Sequence, residues 1–392
     1  MPVAEQTVAV PAGVRNGALA LVLLSLGHML ADLYSGALGA LQPLLVKQYG
    51  MSLASAGVLG GVMVWSSSVM QPVYGYLSDR YHTRMFAALG PALAGLLISS
   101  LGLAPSYGWL LLMIAGGGAG IAAFHPPATA QSTAGMGRHR GQAMAIFVSA
   151  GTLGYALGPT YFSLVAGNLG LGRTWWAAIP GLLISGFMLA LLPAPAVHCR
   201  KAGAGFDWAA LRAVWRPLTI LYMLVFIRSI VQITFAQFIP LYLSRERGFG
   251  LGMASYTLTG YLTFGALGGF LGGHLADRFG GKRVIAVSMI GSAPFLALFF
   301  LASGWVSIAG LWIGGLILLF TIPVNVVMAQ ELVPSQAGTI SALMMGFAWG
   351  MAGLVFIPLT GWASDLFTMH RALGALTVFP IAGFFLSLRL RP

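Results

Sequence analysis

The chain has 392 residues, of which 58% are hydrophobic and only 7% are charged. Soluble domains carry about 25% charged residues, so this composition excludes a soluble globular protein and predicts a polytopic membrane protein. The net charge of +12 does not indicate a nucleic-acid partner, because the basic residues fall between apolar runs and not among aromatic residues in one patch. The single cysteine excludes an intramolecular disulfide, and we expect no metal site and no cofactor.

Twelve apolar runs are long enough to cross a bilayer core of about 30 Å. The predicted spans cover residues 17–46, 53–77, 85–104, 107–131, 141–166, 175–193, 217–243, 251–275, 283–302, 306–330, 338–361 and 370–388. A longer polar segment separates the sixth run from the seventh. We therefore expect an all-α membrane protein with a tail over 1–16, a six-helix bundle over 17–193, a linker over 194–216, a second six-helix bundle over 217–388 and a tail over 389–392.

The basic residues predict the orientation of the chain. The N-terminal tail has no short apolar core followed by a cleavage site, so we interpret it as a cytoplasmic tail and not as a signal peptide. If that tail is cytoplasmic, most of the 20 lysines and arginines fall in cytoplasmic segments. The positive-inside rule therefore predicts that both termini are cytoplasmic.

The first run carries an acid within its apolar sequence. A carboxylate inside a membrane-spanning helix costs a few kcal/mol or more, so it usually faces a cavity or a partner and marks a substrate or proton path. Asp32 is therefore a functional candidate, and His28, four residues earlier, lies on the same helix face. The alternative is that Asp32 is a structural carboxylate paired with a backbone group or an arginine.

The second run ends in a polar motif at the predicted cytoplasmic side. Gly75 begins a Gly-x-x-x-Asp-Arg sequence that continues to Asp79 and Arg80, with Arg84 close behind. The glycine permits close approach to a neighbouring helix, and the acid can cap the positive end of that helix. These residues predict a gate at the cytoplasmic face.

The fourth and fifth runs carry further candidates. His125 precedes two prolines, and its side chain could relay protons or cap carbonyls that the prolines leave free; both interpretations stay open. Arg138 follows the fourth run and joins the predicted gate. In the fifth run Gly154 and Gly158 form one small face, and Pro159 bends the helix.

The two halves repeat each other at an offset of 198 residues. The motif from Gly75 to Arg80 recurs from Gly273 through Asp277 to Arg278, and Gly50 matches Gly248. Parallel six-helix repeats with a substrate site near the midplane are one design of secondary transporters. A similar offset, 197, relates Pro43 in the first run to Pro240 in the seventh run. These prolines follow Asp32 and Arg228, respectively.

The repeat register places Asp32 opposite Arg228, within about one residue. Because charges inside membranes tend to pair, we predict that these two side chains interact in some state of the protein. The alternative for Arg228 is that its side chain extends to the interface. In the tenth run Glu331 is either an interfacial gate carboxylate or a coupling residue.

Several motifs together resemble a known family. The second Gly-x-x-x-Asp-Arg copy continues through Gly280 to Lys282 and Arg283, as in the signature loop of the major facilitator superfamily; the first copy departs from it at His82. The motif from Gly154 to Pro159 resembles that of the fifth helix in antiporters of this superfamily. Four further stretches resemble the fosmidomycin-resistance family: residues 28–32, 70–75, 124–126 and 330–334.

The resemblance implies a major facilitator fold and a bacterial inner-membrane exporter of small molecules or antibiotics, driven by proton antiport through alternating access. It also implies that Asp79 and Arg80, and more weakly Asp277 and Arg278, hold the cytoplasmic side closed in the outward-open state. No enzyme motif or phosphate-binding loop is present in the sequence. The expected partners are a substrate, protons and lipids, with the protein as a monomer. The alternatives are a proton-coupled importer of a polar nutrient or metal complex, and a receptor or scaffold that does not transport.

Overall fold

The computed structural model describes residues 12–81, 83–134, 136–192 and 208–390, and these residues contain helices but no β-strand. The two predicted tails fall largely outside the described residues, as does most of the linker. The described part of the linker includes a short helix, Trp208–Ala213. The prediction of an all-α protein is confirmed.

Each of the twelve predicted spans coincides with a helix. Ten are long and apolar enough to cross a membrane, whereas α3 is shorter and α8 is less apolar. The helices are α1 (Gly17–Tyr49), α2 (Leu53–Ser78), α3 (Met85–Ser99), α4 (Tyr107–Ser132), α5 (Arg140–Leu169), α6 (Leu171–Leu191), α7 (Trp215–Glu246), α8 (Leu251–Phe279), α9 (Gly281–Leu301), α10 (Gly304–Leu332), α11 (Thr339–Leu366) and α12 (Met369–Ser387). We call the side at which α1 begins the N-terminal face and the other side the opposite face.

The internal repeat is visible in the backbone. Gly50 and Gly248 follow the ends of α1 and α7, and both adopt left-handed conformations, with φ of 57° and 70°. Only glycine adopts such a conformation without strain, which explains why the sequence repeats a glycine at these two positions. Pro43 and Pro240 likewise occupy equivalent places inside these two helices.

Contacts between the two halves include close approaches of backbone to backbone. A Cβ atom at Gly57 in α2 would lie 2.8 Å from the carbonyl oxygen of Ile357 in α11, so a larger side chain would separate these helices. The hydroxyls of Thr160 in α5 and Thr259 in α8 are 2.8 Å apart. Small residues thus allow the halves to pack tightly, as is common between membrane helices.

A carboxylate joins the halves at the opposite face. Asp365, near the end of α11, accepts hydrogen bonds from the backbone N–H groups of Leu53 (2.9 Å) and Ala54 (2.7 Å) at the start of α2. Its negative charge also interacts favourably with the positive end of the α2 dipole. At the N-terminal face, by contrast, the acidic side chains of Asp277 and Glu331 are exposed and form no ion pair among the described residues. The structure is therefore held together at the opposite face.

We predict that Asp365→Asn opens the opposite face. Replacing a charged cap by a weaker one costs about 1 kcal/mol, which is roughly a fivefold change in the ratio of two conformations. Spin labels at Ser106 and Ser303, exposed residues that precede α4 and α10, report the separation of the halves in a Cys199→Ser background. The variant is expected to populate longer distances between the two labels.

Glu246→Gln is the matched control. Glu246 accepts hydrogen bonds from the N–H groups of Met369 (2.7 Å) and His370 (3.0 Å), so it caps α12 in the same way but within one half of the protein. This control should leave the distance between the labels unchanged. Equal distance distributions in the Asp365→Asn variant and the native protein would show that the cap does not hold the halves together.

Candidate functional site

Two histidines surround Asp32, the half-buried acid of α1. Nε2 of His28 lies 3.3 Å from Oδ2 of Asp32, and Nε2 of His125 lies 3.2 Å from Oδ1 of the same carboxylate. His28 comes from the preceding turn of α1, as its spacing predicts, whereas His125 comes from α4. We call these three residues the His–Asp–His cluster. Their ligand atoms lie within 4.8 Å of one another, a spacing at which one small cation, a hydronium or a metal ion, would contact all three.

Backbone carbonyls hold both imidazole rings in place. Nδ1 of His28 lies 2.8 Å from the carbonyl oxygen of Phe147 in α5, and Nδ1 of His125 lies 2.7 Å from that of Ile121 in α4. The carbonyl of Ile121 is four residues before His125, so it is not one of the two carbonyls that the following prolines leave free. The capping interpretation of His125 therefore does not match its contacts, and its other nitrogen faces Asp32.

Aromatic rings and a glycine enclose the cluster. The ring of Phe147 stacks on His28, with centroids 4.2 Å apart, and the ring of Phe124 lies 6.1 Å away. A Cβ atom at Gly151 would lie 2.7 Å from Oδ2 of Asp32, which shows that no side chain fits at this position. Gly151 lies three residues before Gly154 on α5, but the sequence analysis did not single it out.

The predicted small face of α5 lies against α1 beside the cluster. Gly154 contacts the carbonyl of Met29 and Gly158 contacts that of Leu33, both so closely that a Cβ atom would clash with the α1 backbone. The Gly-x-x-x-Gly-Pro motif thus lets α5 approach the turns of α1 that flank Asp32. This contact brings Phe147 to His28 and Gly151 to Asp32.

Arg228 is buried in the second half without an acidic partner. Its side chain donates from Nη1 to Oε1 of Gln232, and its Nε has no hydrogen-bond acceptor among the described residues. No ion pair between Asp32 and Arg228 forms in this structure, because both carboxylate oxygens of Asp32 face histidines. The prediction that the two charges meet in some state of the protein stays a prediction.

Two tyrosines lie in the region between the two charges, and the sequence analysis missed them. The phenol of Tyr155 in α5 is near Asp32 and Tyr261 of α8, and that of Tyr261 is near Arg228, but no hydrogen bond joins these groups among the described residues. The Tyr261 hydroxyl is buried and has no hydrogen-bond partner among the described residues. A tyrosine within an apolar run carries no sequence signal that separates such a role from ordinary packing.

A central cavity lies between the halves, next to Tyr155. Its volume is about 20 Å³, enough for about one water molecule. It is lined by residues of both halves, among them Ser67, Tyr155, Gln237 and Trp349, so a larger substrate would enter it only after the halves separate. Nε2 of Gln237 is buried and has no partner among the described residues.

The two motif glycines at the N-terminal face lie in equivalent environments. A Cβ atom at Gly75 would be 3.4 Å from Pro126 in α4, and one at Gly273 would be 3.7 Å from Pro323 in α10. Both distances are ordinary van der Waals contacts, so a methyl group would fit at either position, and the close approach expected of these glycines stays a prediction.

Among the described side chains of the predicted gate, no acid pairs with a base. Arg80 donates to the hydroxyl of Tyr76 (3.3 Å), and Arg84 donates to the carbonyl of Leu192 (2.5 Å). Asp277, Arg278 and Glu331 are exposed, and the guanidinium of Arg278 lies 5.3 Å from the ring centroid of the neighbouring Phe279. The side chains of Asp79 and Arg138 lie outside the described part of the structure.

The chain was compared with protein families and individual proteins. A family model described as Major Facilitator Superfamily matches residues 24–355 and 221–392. The Fosmidomycin resistance protein of Escherichia coli (strain K12) is 30% identical over 340 residues, covering 84% of this chain and 83% of that protein. The MFS-type transporter YfnC of Bacillus subtilis (strain 168) is 30% identical over 372 residues, covering 93% of this chain and 90% of that protein.

Solved structures show the same fold. A bacterial homologue of the human lysosomal transporter Spinster, in an inward-facing and unoccupied conformation, superposes with a TM-score of 0.83 at 17% identity, covering 97% of both chains. The nucleoside transporter NupG superposes with a TM-score of 0.72 at 13% identity, covering 95% of this chain and 100% of that chain. The expected arrangement of two six-helix bundles is confirmed.

We predict that Gly151→Ala destabilises the protein. The added methyl group would overlap the Asp32 carboxylate, and overpacking of this kind typically costs about 1–3 kcal/mol. Gly167→Ala is the matched control, because nothing lies within 4 Å of a Cβ atom at that position of the same helix. The control should be neutral, or more stable by up to about 1 kcal/mol. Thermal unfolding in detergent measures both, and equal melting temperatures would contradict the tight fit at Gly151.

Proposed function

The chain belongs to the major facilitator superfamily and is a multi-pass membrane transporter, and we propose that it exports a small molecule by proton antiport. The His–Asp–His cluster is the observation that carries this proposal. It places three groups that bind protons around one buried point, and buried ionisable groups in membrane helices typically serve ion or proton paths. Proton entry would supply the energy for export.

In this proposal, proton binding acts through the net charge of the cluster. Each proton that binds to the cluster makes its net charge more positive by one, which weakens its attraction for Arg228 across Tyr155 and Tyr261. Loss of the proton restores that attraction. A differential interaction of this kind is sufficient to bias two access states of a transporter. In this proposal Asp32 takes up a proton when the opposite face is open and releases it at the N-terminal face.

The distribution of basic residues supports an orientation for the two faces. Most lysines and arginines of the loops lie on the N-terminal face, so by the positive-inside rule we propose that this face is cytoplasmic in a bacterial inner membrane. The Asp365 cap then closes the outer side. In the outward-open state we propose that Asp79, Arg80, Asp277 and Arg278 form contacts that close the cytoplasmic side, with Arg84, Arg138 and Glu331 close by.

The substrate class comes from a relative. One protein that is 30% identical over most of this chain is named for resistance to fosmidomycin, which supports export of a small antibiotic. We therefore use fosmidomycin as the first probe. The residues that line the central cavity, with Ser35, Ser67, Tyr155 and Gln237 among their polar groups, form the proposed binding place when the halves separate.

We predict that Asp32→Asn abolishes proton-driven export. Purified protein is placed in liposomes that contain a pH-sensitive dye, a proton gradient is imposed, and fosmidomycin movement is followed together with proton movement. The native protein is expected to exchange the two in opposite directions. Because an amide cannot be ionised, the Asn variant should lose at least about 100-fold in gradient-driven flux, in the range typical for loss of a proton-transfer group.

One control variant accompanies this experiment, and two results would contradict proton-driven export. Glu246→Gln changes an exposed acid that caps α12 within one half, and it should keep at least half of the native flux under the same gradient. Movement of fosmidomycin and protons in the same direction would support the importer alternative. The absence of proton flux with a broad panel of drugs and metabolites would support a receptor or scaffold.

A further inference from the structure

We propose that Arg228 is the centre of an oxyanion subsite, at which the transported molecule places a carboxylate, phosphonate or similar anionic group. This inference rests on the proposed function, because it specifies the chemical class of the substrate. It follows from the hydrogen-bond partners of Arg228 and from their contrast with those of Arg247, the residue that directly follows α7.

Arg247 shows how an arginine stabilises this fold. All three of its side-chain nitrogens donate to acceptors, which are the carbonyl oxygens of Phe299 (2.9 Å), Phe300 (3.1 Å) and Ala302 (3.1 Å) and the hydroxyls of Tyr242 (2.8 Å) and Ser307 (2.8 Å). A structural arginine is expected to be satisfied in this way, because a buried donor without an acceptor destabilises the folded protein.

Arg228 lacks such partners. It lies near the middle of α7 with 5% of its surface exposed, and its Nε has no acceptor among the described residues. Nη1 donates to the neutral amide of Gln232, and no acid pairs with the guanidinium within the described part of the chain. An uncompensated charge at this depth is destabilising, and charges of this kind typically mark a substrate or ion path.

The polar groups beside Arg228 are available as hydrogen-bond donors. Because arginine has no acceptor, Gln232 presents its amide oxygen to the guanidinium, which leaves the amide NH2 group free to donate to another molecule. The hydroxyl of Tyr261, near Arg228, is buried and has no partner among the described residues. One positive charge with donors from three side chains is complementary to an oxyanion, and a neutral substrate would leave the charge uncompensated.

The subsite adjoins the proposed binding place. Gln232 is half-buried, whereas Arg228 and Tyr261 are buried, so we expect the anion to reach the guanidinium past the Gln232 amide. The next residue, Ile233, lines the central cavity. A substrate in that cavity could therefore direct an anionic group towards Arg228, on the side nearer the N-terminal face.

Ligand binding to the full-length protein in a non-ionic detergent tests the subsite. The probe is phenylphosphonate, and the matched control ligand is its dimethyl ester, which has the same ring but no charge. Saturation-transfer NMR at constant ionic strength measures both affinities. We expect the native protein to bind phenylphosphonate at least about tenfold more tightly than the ester, because hydrogen bonds to a charged group are strong.

Three variants locate the binding. Arg228→Met should abolish the preference for the anion, whereas Arg245→Met, which removes the same charge from an exposed position of α7, should keep it. Tyr261→Phe removes a hydroxyl that has no partner among the described residues, so it should fold normally and weaken phenylphosphonate binding by about threefold or more. It decides the question if Arg228→Met does not fold.

Thermal unfolding separates the subsite from a structural role. Arg228→Met should raise the melting temperature, because it replaces an uncompensated buried charge by an apolar side chain. Arg247→Met is the contrasting variant, and it should lower the melting temperature because five acceptors lose their donor. A lower melting temperature in Arg228→Met with an unchanged preference for the anion would assign Arg228 to the fold and overturn the proposal.

Asp32 is the competing anion, because the repeat register places it opposite Arg228. A preference for phenylphosphonate that appears only in Asp32→Asn would make Asp32 the partner of Arg228 and would overturn the subsite. Equal native affinities for phenylphosphonate and its ester would also overturn it, and exchange of fosmidomycin for protons would still stand. Conversely, an anion preference that depends on Arg228, without proton movement during transport, would refute the proposed function and leave the subsite in place.

Discussion

The structure depends on the contact between one buried carboxylate and two imidazole rings. Asp32 lies in an apolar helix, where an unpaired negative charge would cost several kcal/mol. His28 and His125 offset that cost only because α4 and α5 are held close to α1. Gly154 and Gly158 provide the close approach of α5, and Phe147 then provides both a ring and a carbonyl for His28. The close packing of α4 and α5 on α1 is thus also what gives the Asp32 carboxylate its partners.

The second half has the same helix arrangement, but it contains a buried charge of the opposite sign. Arg228 occupies the repeat-related place of Asp32, but α7 gives it a neutral amide as its partner and leaves Nε without an acceptor among the described residues. A buried guanidinium without an acid is costly, which fits the proposal that Arg228 meets a negative charge in another conformation. In that proposal, protonation of Asp32 in one half changes its attraction for Arg228 in the other.

Sequence reasoning predicted the helices, the repeat and the position of the critical acid, because each depends on local composition or on spacing along the chain. Gly50 and Gly248 show this clearly, since their equivalent left-handed backbones follow from a repeated glycine. The partner of Asp32 was harder to predict. Repeat symmetry relates positions, but it does not make their side chains face each other. His125 contacts Asp32 because of how α4 packs on α1, and Tyr155 and Tyr261 are found only from their three-dimensional arrangement.

The closed opposite face is consistent with one step of the proposed cycle. The Asp365 cap holds the halves together on the side from which protons would enter. In the proposed cycle, protons taken up before that closure leave towards the N-terminal face. Each departing proton makes the cluster more negative by one charge and so strengthens its attraction for Arg228. That change in attraction between the halves is what would couple the proton to the substrate.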